Sequence, residues 1–241
     1  MITIYWGVDT HTSQGGIRAE RPISILQKLL QERNPKDLMG TVEYSRCPAI
    51  VEELMNVYGI KSYYDYTLLF GKDNVTSPDY DQEFYNQHLK ISSLKGNLFE
   101  WGGCNFVFFT EEPSLEMSFL PAYMEDNSVV NNTIMLPGKI DIGKYFRGLQ
   151  FAFHMKQNCN KIIFNRKEIC CYVKFHTKKK FKFKQFFWTP EINEMNEAML
   201  AAKHGKYDFM NLDYFYNLFD KFNFKKKILK IIKQNLCKGD K

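Results

Sequence analysis

Apolar positions along this chain follow two periods, and the change between them divides it. Ile2 to Trp6 is a short run of strand formers, followed by a polar loop through Gly15-Gly16. Pro22 then stands where helices accept a proline, in the first turn. Ile25, Leu26, Leu29 and Leu30 recur at helical spacing, so the pattern predicts a helix over 22–33 that ends near Asn34-Pro35. Pro48 opens a second helix, with Ile50, Val51, Leu54, Met55 and Tyr58 on one face and Gly59 as its stop.

From residue 62 the pattern turns to strands. Ser62 to Phe70 is rich in strand formers. Short aromatic or β-branched runs follow at 97–101, 104–110, 115–120, 132–136, 148–156, 161–165, 169–176 and 181–188. Gly102-Gly103, Pro113, Pro121, Pro137-Gly138 and Asn165-Arg166 punctuate them. This spacing is that of an antiparallel sandwich or barrel. After Pro190 the helical period returns, in a helix to about Lys203 that Gly205 closes, and in two more at 211–220 and 223–237. The order predicts an α+β fold: a central antiparallel β-sandwich or barrel, N-terminal helices and a basic C-terminal helical segment. Residues 1–241 read as a single domain, helical over 1–60, β over 61–188 and helical over 189–241.

Composition supports a folded chain. Of 241 residues, 44% are hydrophobic and 16% aromatic, too many for a disordered segment. No run approaches the roughly 20 apolar residues that span a bilayer. The first residues lack a basic start and an apolar stretch, so no signal peptide is expected and cytosolic synthesis is the default. Six cysteines without a C-x-x-C pair read as reduced thiols.

Charge changes the picture more. The net +6 hides a division: residues 161–241 hold 19 Lys+Arg against 8 Asp+Glu, a net of +11, and the rest carries −5. One region meets an anionic partner, or the two regions attract each other. A third source is compositional, since 27 Lys against 6 Arg, with much Phe, Asn, Ile and Tyr, is what an AT-rich genome encodes.

The lysines concentrate in two places. In a strand at 181–188, Phe181 and Phe183 face one side while Lys180, Lys182 and Lys184 face the other, after a start at Lys178. Such a strand can grip phosphates, or it can be an edge strand with Phe inward and Lys outward. The tail helix is amphipathic, with Lys226 and Lys230 beside Ile228, Leu229, Ile231 and Ile232. It can lie on a membrane, on nucleic acid, or on the acidic part of its own fold. Scarce Arg argues against base-specific recognition.

Candidate chemistry is sparse. The stretch Gly138-Lys-Ile-Asp141-Ile-Gly-Lys-Tyr-Phe-Arg147-Gly148 joins two strands, and Asp141 and Arg147 at a sheet mouth suit a base and a clamp for a polar ligand. Glycine and aspartate are also ordinary turn residues. Glu111, Glu112, Glu116 and Glu125-Asp126 form an acidic group suited to acid–base work, with Glu112 as the candidate, or to a solvated turn. His11, His88, His154, His176 and His204 show no metal-binding spacing, though His154 and His176 could meet with Cys104 or Cys171. No metal site is expected, no cofactor can be named, and no phosphate-loop, dinucleotide or nucleophile-elbow motif is present.

The Gly138–Gly148 stretch resembles the G-x-I-D-x-x-Y-x-G segment of dUTPase-like enzymes, with one extra residue in the loop. That resemblance implies a similar β fold and makes Asp141 the counterpart of the Asp that activates water for nucleotide hydrolysis. A broader stretch, about 97–188, is similar to uncharacterised β-rich proteins of tailed, notably marine, bacteriophages. It is carried by Phe108-Phe109-Thr-Glu-Glu-Pro113-Ser-Leu-Glu-Met-Ser-Phe-Leu-Pro121, by Pro137 to Arg147 and by Tyr172-Val-Lys-Phe175. The resemblance implies a viral source, in host cytoplasm or virion, and transfers no activity.

Three functions follow as expectations. The first is a virus-encoded accessory or structural protein acting through binding surfaces on a viral or host partner. The second is a β-barrel hydrolase or other small-molecule enzyme using Asp141, with Arg147 or Glu112 assisting. The third is non-specific nucleic-acid binding through the basic C-terminal third.

Overall fold

A computed structural model describes residues 1–8, 20–31, 47–71, 75–81, 91–93, 98–101, 105–204 and 223–239, with only the backbone at 91–93 and 200–204. The elements in chain order begin with β1 (Ile2–Val8), β2 (Ile23–Ser24), α1 (Ile25–Gln31), α2 (Pro48–Leu54), β3 (Val57–Lys61), β4 (Tyr66–Phe70), β5 (Val75–Thr76), β6 (Ile91–Ser93) and β7 (Leu98–Trp101). They continue with β8 (Phe106–Thr110), β9 (Glu116–Pro121), α3 (Ser128–Asn132), β10 (Thr133–Met135), β11 (Gly138–Asp141), β12 (Phe151–Met155) and β13 (Lys161–Phe164). The last are β14 (Ile169–Phe175), β15 (Phe181–Gln185), α4 (Pro190–His204) and α5 (Phe224–Gln234).

The strands form four sheets: β15-β1-β8, β11-β9-β14-β3-β2, β10-β12-β7-β6 and β13-β4-β5. All four contribute to one aromatic core. Trp6 and Phe108 come from the first sheet, Met117 and Phe175 from the second, Phe99 and Phe153 from the third, and Leu68 and Phe164 from the fourth. The fold is α+β around a β-rich core, as the pattern predicts. Among the described residues no sheet closes into a barrel.

The first sheet positions the candidate sites. Ile2, Ile4, Trp6 and Val8 of β1 and Phe106 and Phe108 of β8 face the large core. Tyr5, Val107 and Phe109 face the opposite way, into a second cluster with Ile192, Met195 and Met199 of α4 and Ile228, Leu229 and Ile232 of α5. Both sheet faces are therefore buried, which is why β8 reads Phe-Val-Phe-Phe-Thr without a polar alternate. Gly7 is needed in β1, because a Cβ there would sit 2.5 Å from the Phe186 ring.

Several expectations need correction. The core is not wholly antiparallel: β1 pairs in parallel with β15, Ile2 opposite Phe181 through Trp6 opposite Gln185. The β core lies between them in sequence, supplying the long crossover that parallel neighbours require. The 1–60 segment is not only helical, since β1, β2 and most of β3 fall in it. The second helix stops at Leu54, where Met55 is extended and Asn56 takes φ 62°. Asn56 turns the chain into β3, and Gly59 lies inside that strand. There a Cβ would meet Ile169 Cδ1 at 2.6 Å, so this glycine serves strand packing rather than a helix end.

The 62–70 strand begins only at Tyr66, and Asp141 ends strand β11 rather than lying in an open loop. The short α3 was not anticipated. Its cap, the buried Asn127, accepts from Val130 N and donates to Ile169 O at 2.9 Å. The Gly15-Gly16, Asn34-Pro35, Gly102-Gly103 and Gly205 punctuation, the 211–220 helix, Cys104, His11 and His88 lie outside the described residues.

Candidate functional site

The turn after β8 is where the acidic and basic parts of the chain meet. Glu111 Oε1 accepts from Tyr5 Oη at 3.1 Å and from Lys233 Nζ of α5 at 2.7 Å. The Lys233 ammonium holds the Glu111 carboxyl below the usual range, against a smaller opposing effect of burial. Burial, aided by the Glu111 carboxylate, lifts the Tyr5 phenol to about 12. Glu112 pairs with Lys179 from the connection before β15. Lys174 pairs with Glu53 at 2.7 Å, again joining the basic third to an acid of the first region.

Asp141 stands beside this turn. Its Oδ1 accepts from Gly143 N at 2.8 Å, and its carbonyl accepts from Tyr145 N at 2.8 Å, so it shapes the turn after β11. A Cβ on Gly143 would lie 2.8 Å from Glu112 O, 3.1 Å from Asp141 Oδ1 and 3.1 Å from Lys225 Nζ. The main-chain carbonyl of Glu112 and the side chains of Asp141 and Lys225 thus converge on one glycine, while the Glu112 carboxylate is turned to Lys179. Across the sheet, Asp141 is in register with Glu116, which pairs with Lys139 at 2.8 Å.

Arg147 does not join Asp141 or Glu112 in any hydrogen bond. It is 8% exposed, and its Nε and Nη1 are buried without a partner. Its guanidinium carbon lies 4.6 Å from the centre of the Tyr145 ring. Its neighbours are held toward α4: Phe146 stacks on Trp188 at 6.5 Å, and Gly148 N donates to Asn196 Oδ1 at 3.2 Å.

The predicted lysine strand divides as its period requires. Phe183 is buried and Phe181 packs beside it against the large core, while Lys180 and Lys182 are exposed. Lys178 is exposed just before the strand. Lys184 is half-buried and already engaged in an interaction. On α5, Lys226, Lys227 and Lys230 are exposed, opposite the buried Ile228, Leu229 and Ile232. Phe187 N bonds Asn235 O and Cys237 N bonds Gln185 O, each at 2.9 Å, so the chain after α5 lies along the end of β15.

Lys178 to Lys182 and α5 approach the same Glu111–Glu112 turn, one through Lys179 and the other through Lys233. With those two acids neutralised, Lys178, Lys180, Lys182, Lys226, Lys227 and Lys230 have no acidic partner among the described residues. The two basic segments read from the sequence contain all of these lysines, with Lys179, Lys225 and Lys233 among them, and sequence reasoning did not single out Tyr5. The charge runs contained the lysines, and only tertiary contact shows which are neutralised.

The remaining acids are also occupied. Glu125 accepts from Lys28 at 2.7 Å and from Tyr172 Oη at 3.0 Å, and Asp126 accepts from Asn131 at 2.7 Å. His154 is exposed on β12, whereas His176 follows β14 and bonds Ser118 at 2.7 Å, so the two histidines are not brought together. Among the described residues no three metal-ligating side chains converge, and no helix is long and apolar enough to cross a membrane. An open groove of about 430 Å³ beside β4 and β13 carries Asp65 and Asp79, which sequence reasoning did not single out. No family model, curated protein or solved structure matches the chain.

Proposed function

We propose that the protein acts through a binding surface rather than by catalysis, and that this surface takes a polyanion such as single-stranded nucleic acid. The observation that carries the reading is the set of exposed lysines at 178–182 and on α5 that have no acidic partner among the described residues, beside a turn whose own acids are already neutralised. Single lysines act as point charges on phosphates, which suits sequence-independent contact. The resemblance of 97–188 to tailed-phage proteins supports a virus-encoded accessory or structural role, in host cytoplasm or virion.

The test is a fluorescence-anisotropy titration with a labelled oligonucleotide across salt concentrations. Six lysine contacts to a single strand give a log–log salt slope of about −4. Lys182→Glu with Lys230→Glu should weaken binding more than tenfold and flatten that slope. Binding that ignores both salt and charge reversal overturns the reading.

One observation favours the hydrolase reading as a second. Asp141 keeps Oδ2 outside any hydrogen bond among the described residues, near the Lys225 ammonium and the main-chain carbonyl of Glu112. If this carboxylate is a base, the wild-type protein hydrolyses nucleoside triphosphates and Asp141→Asn abolishes turnover. Absent turnover, or turnover unchanged in the variant, sinks it.

A further inference from the structure

We infer that Arg147 is the fixed cation of an oxyanion-binding site, one that takes a phosphate or carboxylate group. The inference rests on neither reading above. Burying a guanidinium without a counter-charge is strongly unfavourable, so buried arginines are retained where something pairs with them. Among the described residues the interaction recorded for its guanidinium is with the Tyr145 ring, which attracts the cation but accepts no N–H bond in its plane. Two guanidinium nitrogens, Nε and Nη1, remain buried and unpartnered. A water would satisfy their hydrogen bonds but leave the charge. An oxyanion answers both, since the planar guanidinium fork matches two oxygens of a phosphate or carboxylate.

Two other N–H groups, on residues that contact the chain neighbours of Arg147, are also buried without a partner. Asn196 is fully buried, its Oδ1 is spent on Gly148 N, and its Nδ2 has no partner. Trp188 Nε1 is likewise buried and unpartnered, beneath the Phe146 that precedes Arg147. The acids nearest in sequence and sheet are committed elsewhere: Asp141 caps its own turn, and Glu111 and Glu112 hold lysines. The 145–148 segment therefore holds a buried cation that has no acidic partner among the described residues.

The experiment measures thermal stability and calorimetric binding with inorganic phosphate, acetate and a short oligonucleotide, each against chloride at constant ionic strength. For the wild type, the melting temperature should rise with phosphate or acetate and saturate. Arg147→Met should lose that response while remaining folded, and Arg147→Lys should keep part of it through the charge without the fork. A response to the oligonucleotide alone, lost in Arg147→Met, assigns the site to a phosphodiester rather than a free anion. Lys182→Glu should leave the phosphate response intact, which separates this site from the lysine face. An equal response in Arg147→Met, or no response to any anion in the wild type, overturns the inference.

Discussion

At the residue scale, Glu111 connects the two charge regions, and its titration can be followed. Its Lys233 partner holds the carboxyl below the usual range, so the folded pKa lies under the unfolded value of about 4.3. A depressed carboxylate contributes stability that is present above the unfolded pKa and is lost as pH falls through the folded one. The pair is about half exposed, with side-chain accessibilities of 50% and 52%, so its worth is small. Exposed pairs contribute roughly 0.2–1 kcal/mol. Melting temperature followed from pH 6 to pH 3 should fall more steeply for the wild type than for Glu111→Gln. Parallel curves for the two proteins would remove Glu111 from the account.

At the element scale, much was legible because burial of one face imposes a period. Apart from β11, which forms where a connection is expected, the strands from 97 onward fall within two or three residues of the runs that predict them, and α4 begins at Pro190 as its proline requires. What failed has a common physical cause, tertiary pairing that overrides local pattern. Residues 48–59 carry a helical face, yet Tyr58 and Gly59 are recruited by β14 into a strand. Parallel pairing of β1 with β15 is invisible locally, since nothing in Ile2–Val8 names a partner so far along the chain. Site residues divide the same way. Phe183 inward and Lys182 outward follow from period two. The burial of Arg147 does not, because it sits at a bend where no period applies. Neither does the pairing of Glu111 with Lys233, which depends on where α5 lands.

At the scale of the whole molecule, the question is what holds a basic third to an acidic two-thirds. Among the described residues charge offers three pairs between them, Lys174–Glu53, Lys179–Glu112 and Lys233–Glu111. Together they are worth at most about 3 kcal/mol at low salt, and less at physiological salt. The apolar contact is larger. Ile228, Leu229, Ile232 and Leu236 bury against Tyr5, Val107, Phe109 and Phe186, and each aliphatic side chain removed from water stabilises by roughly 1.5–3 kcal/mol. The opposite charges therefore steer and orient α5, while its apolar stripe fixes it to the first sheet. Two measurements should separate these contributions. Raising salt from low to 1 M sodium chloride should change the melting temperature by only a few degrees, because it screens the pairs and leaves the stripe. Ile232→Ala, at a fully buried position, should cost about 2–5 kcal/mol. In a chain of this size that is a fall of roughly 5–15 °C. A salt effect larger than the Ile232→Ala effect would mean that charge attaches the helix after all. The exposed lysines on α5 would then act first in holding the fold together, rather than in holding a partner.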